Sequence, residues 1–124
     1  MEAVMQMELF PSANEDEIKY ARLLLYRYAR MRNAVNVLNS RATLTVKEKK
    51  VLEEYQRKTE GVELAISMII EDDVRKVMEF RFIRGNTRWG TVKRFSSITD
   101  RSIDRRVVKG VKSVAETLKL IDII

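Results

Sequence analysis

The sequence predicts an all-α fold, in which a long, coiled-coil-like N-terminal helical hairpin is followed by a C-terminal helix-turn-helix domain. Apolar residues recur every three and four positions through two long segments, which is the period of an amphipathic helix. Breaker clusters then divide the last third of the chain into shorter helical segments. We therefore predict an N-terminal arm over residues 1–14, a hairpin over 15–70 and a helix-turn-helix domain over 71–124.

The composition narrows the possible function classes. The chain has 124 residues, of which 45% are hydrophobic, and no carboxylate cluster lies beside a glycine-rich phosphate loop. It contains no histidine, which removes the commonest general base and zinc ligand. It contains no cysteine, which excludes disulfides and thiolate metal sites. We therefore predict no enzyme activity, no catalytic residue, no metal site and no cofactor.

The location is predicted from hydropathy and from the start of the chain. No apolar run approaches the roughly 20 residues that a membrane-spanning helix needs. The segment Met1–Glu8 is acidic, whereas a signal peptide begins with basic residues. We expect a cytoplasmic protein without a membrane partner.

The first helix is predicted from Glu15 to Leu38, with Asn14 or Ser12 as its N-cap. Three acidic residues occupy its first turn, where the helix macrodipole favours negative charge. Its apolar stripe has the three-and-four spacing of a heptad repeat. The stripe consists of Ala21, Leu24, Tyr28, Met31, Val35 and Leu38.

The second helix is predicted to begin after Thr45, because Thr45 and Glu48 match the capping box. Its stripe repeats the same spacing with Leu52, Tyr55, Thr59, Val62, Ile66 and Ile69. Gly61 costs up to about 1 kcal/mol relative to alanine and marks a weak point or a close helix crossing. The two helices form an antiparallel hairpin. Its stripes are either intramolecular core or a coiled-coil-like dimer interface.

The third helix is predicted from Asp72 to Ile83, with Gly85 just beyond its end. Its apolar face consists of Val74, Val77, Met78 and Phe82. The fourth helix runs from Thr87 or Arg88 to Phe95. Its spacing of three predicts that Trp89, Val92 and Phe95 all face the core.

The fifth helix follows a turn at Ser96–Ile98 and is predicted from an N-cap at Thr99 to about Leu120. Its inward stripe consists of Ile103, Val107, Val111, Val114 and Leu118. Gly110 lies beside this stripe, where the third or fourth helix can approach closely. The apolar tail that ends at Ile124 is expected to pack against the helical core or against a partner subunit.

Positive charge is concentrated in one quarter of the chain. Residues 81–112 contain ten Lys or Arg and two Asp, a net charge of +8, whereas the remaining residues have a net charge of −2. A basic segment of this kind is typical of a protein that binds a phosphate backbone. The alternative is a solvated charged face without a partner.

The C-terminal third contains Arg81-Phe82, then Trp89, then Thr99–Ile103, and this series of motifs resembles that of the ArpU/RinA-like phage transcriptional regulators. The helix-turn-helix of that family is related to the fourth domain of bacterial primary sigma factors. Arg81-Phe82 matches the Arg-aromatic pair that ends one helix, and Trp89 matches the Trp that opens the next. Thr99–Ile103 matches the start of the recognition helix.

The N-terminal hairpin, with its segment Leu25–Tyr28, also resembles this family, whereas Gly90 and Gly110 depart from its usual residues. The resemblance implies a DNA-binding activator of late or packaging genes in a phage or prophage. It also implies a location on the nucleoid of a bacterial host.

Base contacts are predicted on the first turns of the fifth helix, because a recognition helix meets base edges there. The candidates are Asp100, Arg101, Ser102 and Arg105. Arginine is the strongest of them, because its fork pairs with guanine O6 and N7. Helix capping explains Asp100 equally well, and Asp104 could pair with Arg101 or Lys109 on the same face.

Phosphate contacts are predicted from the other cations of the two helices. The candidates are Arg88, Lys93, Arg94, Arg106, Lys109 and Lys112. Six neutralised phosphates correspond to a log–log salt slope of about −5 per subunit.

The function predicted from the sequence is sequence-specific binding of double-stranded DNA by a transcriptional regulator, an activator, with residues 99–120 in the major groove. A homodimer is expected, formed through the hairpin or the apolar tail. Two alternatives remain open at this point. One is a phage DNA-packaging protein that resembles a small terminase, and the other is a sigma-like adaptor that binds bacterial RNA polymerase.

Overall fold

The computed structural model describes residues 11–124, and this part of the chain is all-helical, as predicted. Its helices are α1 (Glu15–Asn39), α2 (Val46–Ser67), α3 (Asp72–Met78, continued by a π-helical turn over Glu79–Ile83), α4 (Arg88–Arg94) and α5 (Asp100–Leu120). Most of the predicted arm, residues 1–10, lies outside the described residues. Within residues 11–124, no helix is both long and apolar enough to cross a membrane.

The helix starts are set by side-chain caps. Asn14 Oδ1 accepts a hydrogen bond from the amide of Glu17 at 2.8 Å, and the Glu17 carboxylate accepts one from the amide of Asn14 at 2.9 Å. Thr45 and Glu48 form the same reciprocal pair at 3.1 and 3.0 Å. The Thr99 hydroxyl accepts from the amide three residues further on. These bonds satisfy amides that the first turn of a helix leaves free, and the predicted caps are confirmed.

The two apolar stripes of the hairpin are buried within a single chain. Residues 40–45 join α1 to α2, and so short a link between two packed helices makes them antiparallel. α5 packs against both helices. The buried stripe residues are Ala21, Leu24, Tyr28, Met31, Val35, Thr59, Val62, Ile66 and Ile69. Intramolecular core, the first of the two explanations, therefore accounts for the stripes.

One apolar cluster extends across the predicted boundary at residues 70 and 71. It contains Leu25 of α1, Ile66 of α2, Met78 of α3, and Val114 and Leu118 of α5. Because these side chains are at most 2% exposed, the hairpin and the C-terminal helices share one core.

Gly110 lies at a close approach between α3 and α5. A Cβ at Gly110 would lie 2.5 Å from both Cγ and Sδ of Met78, which is shorter than any normal contact. The predicted close approach at Gly110 is therefore confirmed, with α3 as the neighbouring helix.

The C-terminal tail packs on its own chain. Asp122 adopts a left-handed conformation (φ 61°), and the amide of Ile123 donates to the carbonyl of Leu118 at 2.9 Å, as in a Schellman cap. The side chain of Ile123 then lies directly against Gly61 of α2. Packing against the core, one of the two predicted arrangements of the tail, is confirmed. At Gly61 the neighbour is this tail rather than the crossing helix that was one of the two predictions.

α3 ends in a π-helical turn, in which the amide of Arg84 donates to the carbonyl of Glu79 at 3.0 Å. Gly85 follows with a positive φ of 70°, as predicted for this position. The side-chain amide of Asn86 donates to the carbonyl of Phe80 at 2.8 Å. This local bonding ends the helix abruptly and positions the start of α4.

Candidate nucleic-acid interface

The exposed face of α5 combines cations with one apolar residue. Arg101, Arg105, Val108 and Lys112 lie four, three and four positions apart, so they share one side of the helix. All four are exposed, and we call them the α5 stripe. The buried residues Ile103, Val111, Val114 and Leu118 occupy the opposite side of the helix. The burial of that side holds the α5 stripe toward solvent.

The four candidate base contacts divide into two pairs. Arg101 and Arg105 form no ion pair within residues 11–124 and are exposed. Asp100 Oδ1 accepts a hydrogen bond from the amide of Arg101 at 2.8 Å, and Ser102 is half-buried beside the hydroxyl of Thr99. Asp100 and Ser102 therefore support the start of the helix, whereas the two arginines are available to a ligand.

Arg88 joins α4 to α5 through a bidentate pair with Asp104. Its Nε and one terminal nitrogen donate to the two carboxylate oxygens at 2.9 and 2.8 Å. The hydrogen bonds from Arg88 lower the pKa of Asp104, and the same bonds raise the pKa of Arg88. The prediction that Asp104 pairs with Arg101 or Lys109 is therefore wrong. A phosphate contact by Arg88 remains a prediction that requires this pair to open.

Trp89 is 65% exposed, so the prediction that it belongs to the core is wrong. The inward face of α4 carries Arg88, Thr91 and Phe95 instead. Thr91 is fully buried and donates its hydroxyl to the carbonyl of Thr87 at 2.8 Å, and Phe95 meets Phe80 edge-to-face at 5.8 Å. Because Arg88 turns toward Asp104, its neighbour Trp89 points about 100° away around the helix.

Two of the predicted phosphate contacts face acidic residues at the start of α3. Arg106 lies 3.4 Å from a carboxylate oxygen of Asp73, and Lys109 lies 3.7 Å from one of Glu71. These pairs join residues more than thirty positions apart in the chain, so the sequence did not predict this neutralisation. The remaining phosphate candidates, Lys93, Arg94 and Lys112, are exposed and form no ion pair within the described residues.

α3 and α5 enclose a shallow groove along the basic face. It is lined by Asp73, Val74, Ser102, Arg105, Arg106, Val108, Lys109 and Lys112. Across residues 11–124, no three acidic side chains lie close enough together to hold a metal ion. Comparison with protein-family models, with curated proteins and with solved structures found no match to the chain.

The α5 stripe has the chemistry of an anion-binding surface. The guanidinium of Arg105 follows that of Arg101 by four residues, a rise of about 6 Å along the helix. Each guanidinium offers a planar donor fork that fits two acceptors of a phosphate or of a guanine edge. Lys112 adds a charge that fits a phosphate without a fixed direction. The arrangement can bind a polyanion and can also distinguish one base edge from another.

Proposed function

We propose that the chain is a sequence-specific, double-stranded DNA-binding transcriptional regulator, an activator of phage or prophage genes with α5 in the major groove. The observation that supports this proposal best is the pair of exposed arginines, Arg101 and Arg105, on the first turns of α5. A recognition helix presents its base contacts at this position. The resemblance to the ArpU/RinA-like regulators supports the same proposal, and with it we propose a location on the nucleoid in the bacterial cytoplasm.

The ion pairs reduce the number of cations that are free to contact phosphates. Arg88, Arg106 and Lys109 have carboxylate partners, which leaves Lys93, Arg94 and Lys112. Three neutralised phosphates correspond to a log–log salt slope of about −3 per subunit, compared with about −5 for all six. A measured slope near −5 would mean that the three ion pairs open on binding. A slope near −1 would refute the proposed interface.

The experiment that tests the proposal is a selection of bound duplexes from a random pool at moderate salt, followed by affinity measurements on the selected motif. Arg101→Ala is expected to lose preference at one guanine by about 1–3 kcal/mol, because a bidentate base contact is removed. Lys112→Ala is expected to weaken binding to all sequences alike and to reduce the salt slope by about 1.

Lys50→Ala is the matched control, because Lys50 is an exposed lysine on α2, outside the basic segment. It removes the same charge as Lys112→Ala and is expected to leave both the DNA affinity and the salt slope unchanged. Equal losses for Arg101→Ala on selected and random duplexes would show that Arg101 does not contact bases. Failure to select any motif would reject sequence-specific binding altogether.

A second candidate function is a sigma-like adaptor that binds bacterial RNA polymerase, and Trp89 is the observation that favours it. An exposed Trp beside Arg88, with the guanidinium 5.6 Å from the ring centroid, has the composition of a protein–protein hot spot. Trp89→Ala separates the two functions. Loss of polymerase binding with unchanged DNA affinity would support the adaptor, and unchanged polymerase binding would count against it.

Dimerisation is part of the proposal, since a single small module gives modest affinity and a second half-site adds to it. The two surfaces suggested from the sequence, the hairpin stripes and the tail, are occupied within the chain. A dimer therefore needs another surface. Sedimentation that shows a monomer at micromolar concentration, both free and on DNA, would reject it.

A further inference from the structure

Val108 occupies the middle of the α5 stripe, three positions after Arg105 and four before Lys112. Its side chain is 59% exposed, and it lines the same groove as those two cations. A single exposed apolar residue is ordinary on a protein surface. The position of Val108 is what distinguishes it, because the residues before and after it on this face are all positively charged.

The spacing along α5 sets what Val108 can reach. Seven residues separate it from Arg101, a distance of about 10 Å along the helix axis at 1.5 Å per residue. Base pairs are stacked about 3.4 Å apart, so this distance covers about three base pairs when the helix follows the groove. With α5 lying along the groove, Val108 would face the bases on the same side as Arg101, about three base pairs further on.

The major groove offers few apolar partners to such a side chain. The 5-methyl group of thymine is the apolar feature of its base edges, and the other positions are hydrogen-bond donors or acceptors. A branched aliphatic side chain makes no hydrogen bond and gains only from covering a methyl group. Arg105 and Lys112, which flank Val108, suit a base edge and a phosphate, and an apolar protein partner would have to bury both charges.

We infer that Val108 is a specificity-determining residue that packs on the 5-methyl group of a thymine about three base pairs from the guanine contacted by Arg101. The inference rests on the proposed function, because it requires α5 to lie in the major groove. This contact adds a preference for thymine, which hydrogen-bonding side chains alone do not provide.

Deoxyuridine tests the inference, because it replaces thymine with a base that lacks only the 5-methyl group. The duplex selected from the random pool is prepared with each thymine replaced in turn, and affinity is measured by fluorescence anisotropy with the full chain. For the wild-type protein, one replacement is expected to weaken binding about fourfold, which corresponds to one methyl group removed from an apolar contact. Every other replacement is expected to have little effect.

Val108→Ala removes the protein side of the same contact and so completes a double-mutant cycle with the deoxyuridine replacement. It is expected to bind the thymine duplex about as weakly as the wild type binds the deoxyuridine duplex, and to be insensitive to the replacement. Val37→Ala is the matched control, since Val37 is a 53% exposed valine on α1. It should respond to deoxyuridine as the wild type does.

The outcomes separate the inference from the proposed function. If the wild type binds a selected motif and no thymine replacement changes its affinity, the inference is wrong and the proposed function stands. The inference is also wrong if Val108→Ala remains as sensitive to deoxyuridine as the wild type. If no motif is selected at all, the proposed function itself has failed.

Discussion

Replacing Gly110 with alanine tests the crossing of α3 and α5. The added methyl group would lie 2.5 Å from Cγ and Sδ of Met78, and 3.0 Å from its Cε. Met78 is completely buried, and its Cγ is close to the backbone, so a change of rotamer at the end of the side chain does not relieve the clash. The two helices must therefore move apart, or neighbouring core residues must repack.

The size of the effect follows from two opposing terms. Overpacking a close-packed core typically costs about 1–3 kcal/mol. Replacing a helical glycine with alanine returns up to about 1 kcal/mol of helix propensity. The expected net loss in the free energy of unfolding is about 1–2 kcal/mol. For a chain of this length it corresponds to a Tm lower by about 4–8 °C.

Gly61→Ala is the control, because it makes the same substitution in a helix that faces a movable neighbour. The atom in its way is the end of the Ile123 side chain, in the partly exposed tail, which can turn aside. Chemical denaturation followed by circular dichroism should show a clear loss for Gly110→Ala and a much smaller change for Gly61→Ala. An unchanged or raised Tm for Gly110→Ala would refute the close crossing.

The remaining predictions concern the fluorescence of Trp89, the titration of Tyr28 and the ion pair between Asp73 and Arg106. Trp89 is the only tryptophan and is 65% exposed. Its fluorescence emission should therefore resemble that of free tryptophan and be quenched readily by acrylamide. A blue-shifted emission that acrylamide does not quench would contradict the exposed position of Trp89. Tyr28 is buried and donates to Glu63 at 2.6 Å, and burial raises its pKa from 10.0 to about 12. Its contribution to stability should be complete below pH 10 and be lost as the pH rises through 12, and Tyr28→Phe should remove one late step from an ultraviolet titration. Asp73→Asn should free Arg106, tighten DNA binding and steepen the salt slope by up to about 1; unchanged binding would show that the pair does not compete with DNA.

The helix boundaries could be predicted because their causes are local. Thr45 and Thr99 form their caps with groups three residues away, so residue identity within one turn was sufficient. Gly85 could be placed for the same reason, since only the backbone of one turn is involved. Gly110 was found because a glycine beside an apolar stripe has few explanations other than a close approach. Its partner, α3, could not be chosen from the sequence.

The errors concern side chains whose positions depend on tertiary packing. α4 is a seven-residue helix. In so short a helix, the predicted inward face at Trp89 and Val92 differs from the observed one at Arg88 and Thr91 by only one residue. The bidentate bond from Arg88 to Asp104, sixteen residues away, decides between them, and no local pattern encodes it. The pairing of Asp73 with Arg106 likewise depends on how α3 crosses α5. The net charge of residues 81–112 was therefore right, but the number of their cations without a carboxylate partner was overestimated.

The shared core limits how the proposed DNA-binding face can move. Val114, Ala115 and Leu118 of α5 are completely buried and belong to the same apolar cluster as α1 and α2. A close-packed core does not let one helix rotate without repacking its neighbours. The α5 stripe therefore has a fixed orientation relative to the hairpin. In a homodimer, the surface that pairs the two chains would set the distance between their stripes, and hence the spacing of the two half-sites. The half-site spacing of a selected DNA motif would consequently identify which surface forms the dimer.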